Sequence, residues 1–299
     1  MSAHDAAASF EPHRRFLVGL AYRMLGSVAE AEDVAQDAFL RWNATDRERV
    51  AEPRAFLART ASRLCLDRMK AASTRREHYV GTWLPEPVVE PASGAPASGE
   101  PHASTALALA EDVSIALLMT LERLSPLERA AFLLHDVFDM DYREIAHILD
   151  RSEAACRQLA TRGRDHVRDE RPRFAATPDA TARLAGAFHT AMLQGDLAGL
   201  ARILADDAVL YGDGGGKRNA VLNPLHGRDK ILRFFAGLAA KGWLPEPWIA
   251  EPAVINGLPG FVIRTADGVE TLALEISGDA IAAIYGVRNP DKLRHLADR

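Results

Sequence analysis

The stretch Asp141–Arg168, DYREIAHILDRSEAACRQLATRGRDHVR, constrains this chain more than any other, because it carries two helical patterns separated by a very short break. Ile145, Ala146 and Leu149 mark the apolar face of a first helix. After Asp150-Arg151 the pattern restarts at Ser152, a good N-cap residue. Ala155, Cys156 and Leu159 then form a second apolar face, with Arg157, Arg162 and Arg164 directed elsewhere. That is a helix-turn-helix pattern, in which the second helix enters the major groove with its amino-terminal residues towards base edges while arginines further along reach phosphates. An ordinary helical hairpin is the plainer alternative, and the rest of the chain has to decide.

At 299 residues the chain is long enough for two or three domains, and with 48% hydrophobic residues burial is not limiting. A net charge of -5 excludes a surface that is basic throughout, yet nucleic-acid binding needs only a local basic face. No apolar run approaches the roughly 20 residues of a membrane span, and the amino terminus lacks the apolar core of a secretion signal. The expectation is a cytoplasmic protein without a membrane partner. Cys65 and Cys156 stand far apart with no second thiol near either, which suggests neither a metal site nor a disulfide; both read as small buried residues, and no cofactor is expected.

From Phe10 to Trp42, the apolar positions Phe16, Leu17, Leu20, Ala21, Met24 and Leu25 recur at helical spacing until Gly26-Ser27 breaks the pattern. A second helix follows, with Ala31, Val34, Ala35, Ala38 and Phe39 in one stripe and Glu30, Glu32, Asp33, Gln36, Asp37 and Arg41 on the other faces. Simple solvation accounts for such carboxylates; a partner with a basic groove is the sharper reading. Pro53 suits the first turn of a third helix whose core positions are Phe56, Leu57, Ala61, Leu64 and Met69. Here Arg54, Arg59, Arg63, Arg68, Lys70, Arg75 and Arg76 outweigh the single acid Asp67, an imbalance suited to phosphates and unstacked single-stranded bases.

The run Ala21–Ser27 (AYRMLGS), followed by Ala31–Trp42 (AEDVAQDAFLRW), resembles the second region of sigma-70-family transcription initiation factors. Phe56-Leu57 through Leu64, Asp67 and Arg68 resemble the helix that opens and reads the minus-10 element in the extracytoplasmic-function group. Leu121–Arg129 (LERLSPLER) leads into the helix-turn-helix as that family's fourth region does. The resemblance implies that Asp33, Gln36, Asp37, Phe39, Arg41 and Trp42 face the clamp helices of the large subunit of core RNA polymerase. It assigns the opened minus-10 strand to Arg59, Arg63, Asp67, Arg68, Lys70, Arg75 and Arg76, and the minus-35 element to Arg151, Ser152, Glu153, Arg157 and Arg162. Such a factor is not an enzyme: it supplies binding energy that favours open promoter DNA, while polymerase transfers nucleotides.

Thr82–Ser104 is rich in Pro, Ala, Ser and Gly and reads as a connector that cannot build a core. At its start, Trp83-Leu84-Pro85-Glu86-Pro87 sets a large aromatic beside a rigid turn and resembles a docking motif. The pentapeptide recurs as Trp243-Leu244-Pro245-Glu246-Pro247, either by chance or because the two copies use similar pockets and exclude each other.

Beyond the helix-turn-helix, Ala182–Gln194, Leu197–Leu204 and Asp229–Leu238 read as helices, and Ala208–Tyr211 as a strand. Phe261–Thr265, Thr271–Ile276 and Ile281–Val287 read as strands of an antiparallel meander around Asp267-Gly268 and Gly278-Asp279. The expected architecture is therefore multidomain: two all-α domains, a helical bundle at 8–80 and a helix-turn-helix domain at 107–171, joined by a flexible linker at 81–106, then an α+β domain at 178–299. The last resembles the SnoaL-like cone fold, where a curved sheet and helices enclose an apolar pocket.

Asp213-Gly214-Gly215-Gly216-Lys217 is not a Walker loop, since Tyr211 and Arg218 occupy the positions that need Gly and Ser/Thr. Together with Trp83–Pro87 and Asn289-Pro290-Asp291-Lys292-Leu293, it resembles the signature of the extracytoplasmic-function subgroup with a fused SnoaL-like domain. That resemblance implies regulation in cis without a separate anti-sigma protein, interdomain contacts through these motifs, and room for an unknown small-molecule ligand. A catalytic extension would instead need a carboxylate or histidine inside the pocket, for which Asp207, Asp213, His189 and His226 are the candidates. The alternative for the whole chain is a helix-turn-helix repressor or activator with a small-molecule-sensing carboxy-terminal domain, which would not need the Asp33–Trp42 face.

Overall fold

The computed structural model describes residues 3–76, 79–91, 113–168, 176–241 and 249–297. The chain divides into two compact units, Met1–His78 with Leu107–Arg171, and Tyr79–Ala106 with Pro172–Arg299.

In the first unit, α1 (Ala3–Leu25) stops at Gly26, whose φ of 69° suits glycine, and Ser27 caps α2 (Val28–Asn43) by accepting the Glu30 amide at 3.2 Å. α3 (Pro53–Arg76) starts on its proline. Leu17, Leu20, Met24, Val34, Leu57 and Ala61 are fully buried among these helices, while Phe16, Phe39, Phe56 and Leu64, also expected in the core, are half-buried. α4 (Ile115–Glu122) leads to α5 (Pro126–Phe132), whose start is a full capping box between Ser125 and Glu128 with Pro126 inside it. A widened turn over Leu133–Val137 then precedes α6 (Tyr142–Leu149) and α7 (Glu153–Arg168). Both cysteines are buried, and burial pushes the Cys65 thiol up to about 12.

The second unit is a mixed α+β body. α8 (Pro178–Gln194), α9 (Leu197–Ile203) and α10 (Arg228–Ala240) share one core with the sheet through Leu184, Phe188, Leu200, Ile231, Phe235 and Leu274. The strands are β1 (Val89–Pro91), β2 (Leu204–Asp213), β3 (Leu225–His226), β4 (Ile249–Ile255), β5 (Leu258–Thr265), β6 (Gly268–Ser277) and β7 (Ala280–Val287), in the order β1-β4-β5-β6-β7-β2-β3. A short helix, α11 (Arg294–Ala297), follows. Three expectations are corrected. Leu204 opens β2 instead of closing a helix, since the chain turns extended there and pairs with Ile281. The antiparallel meander is longer by β4 and is joined by a parallel β2–β7 pair. The sheet is also not closed into a clear cone: β1 and β3 are its open edges. Among the described residues no helix is long and apolar enough to cross a membrane.

Candidate nucleic-acid interface and linker clasp

The helix-turn-helix is built from local caps. Asp141 accepts the Glu144 amide at 2.8 Å to start α6, and Asp150 ends it in a left-handed conformation, φ 56°. Ser152 then accepts the Ala155 amide at 3.2 Å. Ile145, Ile148 and Leu149 of α6 and Cys156, Ala160, Gly163 and Val167 of α7 are buried. Gly163 was not anticipated; a Cβ there would stand 2.8 Å from Cβ of Phe132, so glycine permits the close crossing of α5 and α7. Arg151, Ser152, Glu153, Arg157 and Arg162 are all exposed. Arg157 pairs with Glu153 at 2.7 Å and lies 5.2 Å from the Tyr142 ring, a surface arrangement that holds the guanidinium weakly. Arg164 differs: its two bonds to Asp136, 2.7 and 3.0 Å, raise its pKa and brace α7 against the preceding turn.

On α2, Asp33, Gln36 and Arg41 are exposed and Asp37 and Phe39 half-buried. Trp42 is corrected from a surface residue to a core one. It is 1% exposed, donates its indole N–H to Ser9 at 3.0 Å and packs against Phe56, because a large ring on this face is worth more buried. Of the α3 residues, Arg63, Asp67 and Lys70 are exposed and Arg59 half-buried, while the side chains of Arg75 and Arg76 lie outside the described residues. Arg68 bonds Asp37 at 2.9 Å and the Glu30 carbonyl at 2.8 Å, so it ties the basic helix to the acidic one.

α5 brings in a residue that sequence reasoning missed. Arg129 is 1% exposed, donates to the Met24 carbonyl at 2.6 Å and to Glu122 at 2.7 Å, and its burial pulls its pKa down to about 9. It anchors α5 to the carboxyl end of α1, where the carbonyl dipoles favour a cation. Nearby, Phe16 and Phe138 meet edge-on at 4.9 Å, and Arg23 and Arg54 stack on Phe138 and Phe16.

In the second unit the three motifs meet at Asp213, at the end of β2 and 0% exposed. One carboxylate oxygen accepts the Tyr79 hydroxyl at 2.5 Å and the Gly215 amide at 3.0 Å; the other accepts the Leu84 amide at 2.8 Å and the Lys292 ammonium at 2.7 Å. Lys292 also donates to the Leu84 carbonyl and stands 4.3 Å from the Trp83 ring centre. Asn289 donates to the Tyr79 oxygen at 2.9 Å and caps the turn through Pro290 by accepting the Asp291 amide at 3.0 Å. Lys217 pairs with Asp291 at 2.5 Å, and the cation on Asp213 is Lys292. Glycine is required in the loop: a Cβ on Gly215, φ 60°, would fall 2.2 Å from the Asn289 side chain, one on Gly214 would fall 2.0 Å from the Arg218 carbonyl oxygen, and Gly216 packs against Val80.

Leu84, Pro85, Glu86 and Pro87 are buried, Glu86 beside His295 at 3.5 Å, and the segment continues as β1. The Val88 amide and carbonyl bond Asn256 at 3.1 and 2.9 Å. The first part of the expected connector is therefore built into this unit; the second pentapeptide, Trp243–Pro247, lies outside the described residues. Tyr79 and Lys292 complete the site. Tyr79 is a single aromatic without periodic neighbours and carries no sequence signal, whereas Lys292 stands inside the terminal motif.

The catalytic candidates do not converge. Asp207 and His226 are exposed, His189 stacks on Phe261 at 5.0 Å, and Asp213 is spent on the linker. No three His, Cys, Asp or Glu among the described residues gather as a metal ion would require.

Residues 10–75 match the sigma-70 region 2 family and residues 114–167 the sigma-70 region 4 family. With the whole-chain similarity, this places the chain among the extracytoplasmic-function (ECF) RNA polymerase sigma factors, non-catalytic factors of transcription initiation. It is 38% identical over 294 residues to the ECF RNA polymerase sigma factor SigJ of Mycobacterium tuberculosis, covering 95% of this chain and 92% of that protein. Over 298 residues it is 34% identical to the probable ECF sigma factor SigI of the same species, covering 98% and 97%. The crystal structure of M. tuberculosis SigJ has the same fold, with a TM-score of 0.75 and 35% identity over 96% of this chain and 98% of that one.

Proposed function

We propose that this sigma factor works in the cytoplasm and is regulated in cis by its carboxy-terminal unit, a SnoaL-like domain, through the linker held at Asp213. Core RNA polymerase binds the face formed by the exposed Asp33, Gln36 and Arg41 and the half-buried Asp37 and Phe39 through its clamp helices. Arg59, Arg63, Asp67, Arg68, Lys70 and the basic pair Arg75-Arg76 handle the opened minus-10 strand, and Arg151–Glu153 with Arg157 and Arg162 meet the minus-35 duplex. The domains are 8–80, 107–171 and 178–299. Arg68 takes part only after giving up Asp37, a partly exposed pair that costs little to open. The observation that carries the reading is the hold on Tyr79 and on the buried Leu84 at the start of the linker by Asp213, Asn289 and Lys292. A linker gripped in this way makes a separate anti-sigma protein unnecessary.

The test is transcription in vitro with core polymerase on matched promoters, comparing the whole chain with a truncation after Arg171. Both forms are expected to initiate, at different rates. Duplex binding by both without initiation by either would return the chain to the repressor alternative.

A further inference from the structure

The second unit holds a cavity of about 180 Å³, walled by Leu210, Phe234, Phe235, Leu272 and Ile284, and none of the contacts described above uses it. Its size is close to that of an interior cavity known to take a single aromatic ring, about 150 Å³. One end is polar. There Arg288 donates to Glu270 at 2.7 Å and to the Asn219 carbonyl at 2.5 Å, and Arg218 reaches the same carboxylate at 3.3 Å. Two guanidiniums thus face one buried carboxylate; Asp267, 4.0 Å from Arg218, is mostly exposed. The Nε of Arg288 is buried and has no acceptor among the described residues. A buried cationic donor in this state favours an anionic acceptor, and an otherwise apolar chamber favours a compact hydrocarbon body.

We propose that this cavity binds a small single-ring carboxylic acid, its carboxylate towards Arg288, and that filling the cavity tightens the hold on the linker. The coupling is structural. Gly212 and Asn219–Val221 line both this cavity and a second hollow that is also lined by Val80 and Gly81, where the chain enters the linker. Gly212 runs directly into Asp213 and Arg288 into Asn289, and the amides of Arg288 and Asn289 bond the Asp213 carbonyl at 2.7 and 3.0 Å. A ligand that fixes the ends of β2 and β7 therefore fixes the atoms that hold Tyr79 and Leu84. By reciprocity, a docked linker favours the ligand.

The inference rests on reading the extension as a regulator, but its test needs neither polymerase nor promoter, so the two fail separately. The full chain is titrated with benzoate, and with toluene as the uncharged counterpart, by calorimetry; hydrogen exchange of the Leu84 amide is followed at saturation. Benzoate is expected to bind one site, at least tenfold more weakly in Ala220→Phe, which fills the cavity, and in Arg288→Met, which removes the cation. It should slow Leu84 exchange in the unaltered chain and not in Ala220→Phe, with circular dichroism showing both folded. No saturable benzoate binding, or equal binding by both variants, overturns the site. Toluene binding as tightly as benzoate overturns the carboxylate, and binding without a change at Leu84 overturns the coupling.

Discussion

Each unit has a buried charge at its centre, and the two are satisfied differently. Asp213 has a donor on every side: a hydroxyl, two amides and an ammonium. Arg129 has one carboxylate and one carbonyl, and its Nε is buried without an acceptor among the described residues. A saturated charge in a low-dielectric site is a fixed point, because every alternative position forfeits several bonds at once. One held by two bonds and stripped of water is closer to balance. The comparison assigns permanence to the linker's seat and lability to the contact between α5 and α1.

The largest effect expected is at Asp213. Asp213→Ala takes the carboxylate from Lys292, the Leu84 amide and the Tyr79 hydroxyl at once and is expected to cost about 3–5 kcal/mol in urea unfolding of the carboxy-terminal unit. A loss under about 1 kcal/mol would end the contrast between the two centres. Arg129→Ala should cost the first unit less, roughly 2–3 kcal/mol, since the guanidinium has already given up one bond. Arg129→Met, which keeps the volume, should recover part of that loss. Equal losses at Arg129 and Asp213 would show that saturation is not what separates them.

Smaller effects sharpen the account. Gly215→Ala forces a β-carbon into a left-handed position against Asn289 and is expected to destabilise by about 1–3 kcal/mol, whereas Gly237→Ala, in α10 with open space around it, should stabilise by about 0.5–1 kcal/mol. The smallest effect is set by pH. Hydrogen bonds from Lys217 first and Arg294 second hold the Asp291 carboxyl below its usual range. Its contribution is thus complete above an unfolded pKa of about 4 and disappears as pH falls through the lowered value. Tyr79 is pushed the other way, by burial and then by its bond to Asp213, so its contribution is complete below about 10 and disappears as pH rises further. Unfolding midpoints of the whole chain against Asp291→Asn should therefore converge at the acid end, and against Tyr79→Phe at the alkaline end.

The helical half was readable because its apolar periodicity and its caps agree. Gly26-Ser27 and Ser152 each mark a boundary that the structure has at the same place. Arg129 was not readable as a buried cation, since only the approach of the Met24 carbonyl makes burial possible. In the second unit β4 was missed because Pro252 interrupts it; the described part of β1 pairs with Ala253–Ile255, short of that proline. The Asn256-Gly257 turn was a usable signal, with both residues at positive φ, but it needs strands on each side to be recognised. β1 itself lies in a Pro-rich run and becomes a strand only by pairing with β4. The three motifs were legible as a set through resemblance; their meeting at one carboxylate depends on the parallel β2–β7 pair, which local sequence does not encode.

The measurement closest to the central claim is the initiation rate of Lys292→Ala beside those of the whole chain and the truncation after Arg171, with Leu84 exchange confirming that the linker is released. The account predicts that Lys292→Ala shifts initiation in the same direction as truncation. A released linker with unaltered initiation would contradict it.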